Sequence, residues 1–112
     1  MKEKNRKYFS FDIVKDYSPE MHCRLTPTFS ERGFSLEGLD WGDDVERVWG
    51  KDEYEYSFTL TPENTEKMFE AIGAEVGKEE EAIRLLLRGE ANSNPFQELL
   101  DENGIEYKFW SY

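Results

Sequence analysis

The spacing of apolar residues changes once along this chain, and that change limits the folds open to it more than any other feature. Up to residue 60 apolar residues mostly recur at every second position, which puts them on one face of an extended strand. Phe9, Phe11 and Ile13 alternate with Ser10, Asp12 and Val14. Met21, Cys23 and Leu25 alternate with His22, Arg24 and Thr26. Phe34 and Leu36 point one way while Ser35 and Glu37 point the other. Tyr54, Tyr56, Phe58 and Leu60 alternate with Glu53, Glu55, Ser57 and Thr59. Turn signals at Tyr17-Ser18-Pro19-Glu20 and Ser30-Glu31-Arg32-Gly33 separate these runs, so the first half reads as four strands.

Beyond residue 60 the period becomes helical. Thr61-Pro62-Glu63 supplies a hydroxyl cap, a proline at the first helical position and an acid in the first turn. Thr65, Met68, Phe69 and Ile72 then share one face, and Gly73 closes the helix. Lys78 to Arg88 predicts a second helix, acidic at its start and basic near its end as the helix dipole prefers. Its Ala82, Ile83, Leu85, Leu86 and Leu87 cover more than one stripe, which predicts deep burial. In the third helix Asn94 caps, Pro95 follows, and Gln97 stands where a capping box needs it. Asn103-Gly104 ends it, with Ile105 set for the contact that accompanies a left-handed cap. Ile105, Tyr107 and Phe109 then alternate with Glu106, Lys108 and Trp110, a fifth strand. The expected fold is a single α+β domain over residues 1–112: a mostly antiparallel sheet of about five strands with helices on one face, in the order β-β-β-β-α-α-α-β. The place of the last strand in that sheet is open.

The most crowded stretch, DWGDDVERVWGKDEYEY at residues 40–56, has a plain reading. Asp43 and Glu46 have capping-box spacing, and Val45, Val48 and Trp49 share one face of a short helical turn before Gly50. Asp43, Asp44 and Glu46 would then sit at that turn's positive end. Glu53 and Glu55 are the solvent positions of the fourth strand. A calcium site at Asp40, Asp43 and Asp44 lacks the alternating ligands and distant glutamate of an EF-hand. Zinc needs more nitrogen and sulfur than one histidine and one cysteine provide. No metal or other cofactor is expected.

Catalytic patterns are equally thin. His22 and Cys23 are adjacent in a strand and point to opposite faces, which separates them as a dyad. Gly33, Gly38, Gly42 and Gly50 are scattered rather than gathered in a phosphate loop. The expectation is a protein that is not an enzyme. The alternative is a ligand-binding or enzymatic domain with a pocket between sheet and helices, formed from Tyr54, Tyr56 and Tyr107.

What stands out is the charge. The chain carries 25 acids and 14 bases, a net charge of -11, and residues 37–55 hold eight of the acids against Arg47 and Lys51. Such a surface repels nucleic acid and anionic lipid and attracts cationic protein. The lone cysteine, the interrupted apolar run at the N-terminus and the lack of any long apolar stretch fit a cytoplasmic protein. Glu37, Asp40, Trp41, Asp43, Asp44, Glu53, Glu55 and Trp110 are the candidate partner-binding residues: carboxylates for attraction and a tryptophan as anchor. Asp12 and Glu106 belong to the same polar side of the sheet.

The stretches Asp52-Glu53-Tyr54-Glu55-Tyr56 and Glu102 to Trp110 resemble segments of small acidic bacterial proteins. Some proteins of that size and charge are immunity proteins of toxin systems, which present carboxylates where a nuclease would hold phosphates. The resemblance touches about a quarter of the chain. It implies a non-enzymatic module that docks a basic protein and transfers no site residues.

Overall fold

The computed structural model describes residues 6–18, 21–42, 53–88 and 94–111. Six strands form one sheet: β1 (Phe9–Ser10), β2 (Ile13–Ser18), β3 (Met21–Ser30), β4 (Gly33–Trp41), β5 (Glu53–Leu60) and β6 (Lys108–Ser111). Every pairing is antiparallel, and the order across the sheet is β1 and β2 beside β3, then β4, β5 and β6. The helices are α1 (Pro62–Ala71), α2 (Glu79–Leu86) and α3 (Asn94–Glu102). The fold is α+β as the periodicity predicts, and among the described residues the last strand returns to an edge, beside β5. The short turn expected at residues 43–50, with Trp49, lies outside the described residues.

The first expected strand is split in two, and Pro27 explains the split. Phe9 faces Phe29 and Ile13 faces Leu25, so β1 and β2 share one register along β3. Between them Phe11 N–H donates to the Pro27 carbonyl at 3.3 Å. Proline has no N–H to return, so the ladder is interrupted there. β3 itself continues through Pro27 to Ser30, beyond the alternating run that ends at Thr26. Gly33 begins β4 with φ 111°, and a Cβ there would lie 2.1 Å from the Leu60 carbonyl oxygen. No other residue type fits that approach.

One face of the sheet carries Cys23, Leu25, Phe34, Leu36, Tyr56, Phe58 and Leu60, all buried. They pack with Met68, Phe69, Ile83, Leu87, Phe96, Leu100 and Ile105 in one core. Rings run through it in series: Phe29 to Phe69 at 5.3 Å, Phe34 to Phe96 at 5.6 Å, Phe96 to Phe58 at 5.6 Å and Phe58 to Phe109 at 4.9 Å. Offset and edge-on contacts of this kind are worth more than their area, about 0.5–1.5 kcal/mol each.

The caps are largely those expected. Thr61 accepts the Asn64 N–H at 3.2 Å, and Pro62 opens α1. Gly104 takes φ 63°, and Ile105 N–H donates to the Leu100 carbonyl at 2.9 Å with the Ile105 side chain buried. Two details differ. α3 starts at Asn94 itself, and Gln97 Nε2 donates to the Tyr107 hydroxyl at 3.1 Å, a contact between helix and returning chain. α2 is also less buried than its apolar content predicts. Ile83 and Leu87 enter the core, while Leu85 lies largely exposed on the far side.

The N-terminal segment is tied down by charge. Arg6 lies with its side chain 1% exposed, its Nε 2.8 Å from Glu66 Oε1 on α1 and its Nη1 2.6 Å from Glu79 Oε2 on α2. Its guanidinium also lies over the Phe69 ring at 4.4 Å. Further along, Arg84 of α2 covers Phe11 at 4.5 Å. Arg6 thus joins two helices to each other.

Candidate functional site: an acidic sheet face with an edge tryptophan

The face of the sheet opposite the core is polar because every alternate residue of β2 to β6 points there. The register builds it row by row. Trp110 stands opposite Ser57, Ser57 opposite Glu37, and Glu37 opposite Thr26. The next row is Val14, Arg24, Leu39 and Glu55; the one beyond is Asp16, His22, Trp41 and Glu53. Thr26 Oγ1 donates to Asp12 Oδ1 at 2.7 Å, which brings Asp12 onto the same side. Five described carboxylates therefore share this face (Asp12, Asp16, Glu37, Glu53 and Glu55), against Arg24 and Lys108.

Two tryptophans mark it. Trp110 is 43% exposed. It borders a shallow depression of about 140 Å³ whose wall includes Arg24, Thr26, Glu37, Leu39 and Glu55. Trp41 is half-buried, with the His22 ring stacked on it at 5.3 Å and an interplanar angle of 20°. His22 Nδ1 lies 2.7 Å from Asp16 Oδ1, and since a carboxylate can only accept, Nδ1 is the donor. The stack and the hydrogen bond hold Trp41 against the sheet, whereas Trp110 stands at its edge.

Asp40 does not belong to this surface. It is 5% exposed and lies on the core face, paired across the sheet with Cys23 and Tyr54. The reason is parity: Glu37 points outward, and three residues along an extended strand reverse the direction. Burial pushes the Cys23 thiol up to about 12, and the neighbouring Asp40 charge and its hydrogen bond to the thiol push the same way. Lys15 sits opposite Cys23, and desolvation by burial lowers its ammonium. A thiol held protonated is a poor nucleophile. His22, one residue away, faces the other side of the sheet.

The tyrosines named for a pocket are spread along the core face. Tyr56 is buried with its ring against Gly38, and Tyr54 packs on it at 5.5 Å. Tyr107 packs on Phe58 at 5.7 Å and donates to Asp101 at 2.9 Å. Desolvation raises its phenol above the ordinary value; the bond from Gln97 works against that shift, and Asp101 adds to it. Of the residues proposed for docking, Glu37, Glu53, Glu55, Trp41 and Trp110 share one face, and Asp40 is on the other. Asp43 and Asp44 lie outside the described residues. Glu106, expected on the polar side, is exposed between α3 and β6. Arg24 and Leu39 line the same depression and were readable from the alternation of their strands. Among the described residues no three His, Cys, Asp or Glu side chains converge as a metal site requires. Nor, among them, is any helix long and apolar enough to cross a membrane.

The fold and this face together define an α+β protein with an acidic sheet surface bordered by an edge tryptophan. No family model, curated protein or solved structure matches the chain.

Proposed function

We propose that this protein is a non-enzymatic binding module that docks a basic protein through the outer face of its sheet, in the manner of an immunity or inhibitor protein. The observation that carries the reading is the gathering of Glu37, Glu55 and exposed Trp110 around one depression, with Asp12, Asp16 and Glu53 on the same face. Carboxylates gathered on one side accelerate encounter with a cationic surface. A tryptophan among them supplies affinity that charge by itself does not, because a large ring gains most from leaving water.

The test compares capture by the protein and by two variants, a Glu37→Lys/Glu55→Lys double substitution and Trp110→Ala, from lysate of the native host. The wild type retains a basic protein at low ionic strength and releases it as salt rises. Each variant loses that protein while still folding cooperatively, the charge reversal melting no lower than the wild type because it relieves repulsion among the sheet-face carboxylates. Equal capture by all three, or a neutral partner indifferent to salt, would end the proposal.

A further inference from the structure

We infer that the partner adds a strand to β6, and that the added strand is cationic on one side and apolar on the other. The inference rests on the docking reading above and specifies its geometry. β6 is the last strand in the sheet order, and among the described residues it pairs with β5. Among the described residues no strand lies beyond it, and there its outer edge presents backbone N–H and C=O groups, the template on which extended peptides pair. Natural edges are commonly blunted by proline, several lysines or a bulge. β6 reads Lys-Phe-Trp-Ser, with one lysine and neither proline nor an irregular register.

The side chains at that edge state what would fit. All four residues of β6 are exposed. Phe109 is 49% exposed on the core side, where it packs on Phe58, and Trp110 is 43% exposed on the acidic side. Residues of an added strand alternate between those two sides. On one side an apolar residue extends the ring series at Phe109. On the other a guanidinium meets the Trp110 face and the carboxylates of Glu55 and Glu37 in the rows behind it, joining cation–π attraction to charge. A second copy of this chain fits the edge less well, because each copy brings a net charge of -11.

The experiment uses three short synthetic peptides of one composition with the intact protein: arginine and valine in alternation, the same peptide with its backbone N–H groups methylated, and the residues regrouped into two blocks. Tryptophan fluorescence reads binding, and amide hydrogen exchange reads protection at residues 108–111. The alternating peptide is expected to bind and to slow exchange in β6, with methylation weakening binding by about tenfold through lost backbone hydrogen bonds. Equal binding of all three without protection in β6 overturns strand addition while the charge-driven docking stands. Failure of every cationic peptide to bind removes both. A dimer with β6 amides protected before any peptide is added also overturns the inference, since a second copy would hold the edge.

Discussion

Gly38 shows how closely one residue can be specified by its neighbour. A Cβ at this position would fall 2.1 Å from Cζ of Tyr56, so the ring lies flat on the backbone of β4. Gly38→Ala forces that buried ring to move, which should cost about 1–3 kcal/mol as overpacking does. In a Tyr56→Leu background, which lacks the clashing atoms, the same substitution should cost much less, and denaturant melts of the four proteins measure the coupling. Cys23 gives a second prediction. Below pH 9.0 the thiol is protonated in both the folded and unfolded chain; above it the unfolded chain releases the proton, while the folded chain keeps it until about 12. Stability should therefore fall as pH rises through that window, by about 1.4 kcal/mol per unit, relative to a Cys23→Ala variant that lacks the step. Parallel slopes for the two proteins would refute the assignment. Both residues were partly legible beforehand. The alternation of β3 predicted a buried Cys23, and the parity of β4 extended past Glu37 carries Gly38 and Asp40 to the core side. The charge of Asp40 groups it with its acidic neighbours in the sequence, but proximity in sequence says nothing about which face a strand residue takes.

At the scale of elements, the alternating runs and the capped helices were readable because both are local: a strand's faces and a helix's first turn are set by residues a few positions apart. What joins the elements was not. Arg6 is one of four bases among the first seven residues of the sequence, yet it bridges Glu66 and Glu79, sixty and seventy-three positions away. Its signal in the sequence is weak: an arginine shortly before an aromatic run. The loss of one partner from a buried pair strands the other, and Arg6→Ala leaves Glu79 buried without its cation. The expected cost is about 3–5 kcal/mol, reduced to the extent that the more exposed Glu66 regains water. Thermal melts measure it, and an Arg6→Ala/Glu79→Leu double variant should recover much of the loss because no buried carboxylate remains. If Arg6→Ala melts with the wild type, the clamp contributes nothing. Pro27 teaches the same lesson in reverse. The break between β1 and β2 comes from a proline on the neighbouring strand, so it is invisible until the register is known.

For the whole molecule, the net charge of -11 acts on folding and on binding with opposite signs. Mutual repulsion among acids disfavours the compact state, and among the described residues it is unevenly relieved: Arg6 compensates Glu66 and Glu79, and Arg84 pairs with Glu80, while the sheet face keeps five carboxylates against two bases. Raising ionic strength from roughly 0.01 M to about 0.15 M shortens the screening length from ~30 Å to ~8 Å. Repulsion between strands of the sheet face should fade over that range, while the short, buried contacts of Arg6 are screened far less. The free protein should therefore gain stability with salt, on the order of 1 kcal/mol or ~5 °C in melting temperature. Its affinity for a cationic partner should drop over the same range. Calorimetric melts of the free protein and binding isotherms of the complex, run in parallel salt series, test the pair of trends together. A melting temperature that falls with salt would mean that internal ion pairs outweigh the repulsion, and the acidic face would then be balanced by the chain's own cations with little left to attract another protein.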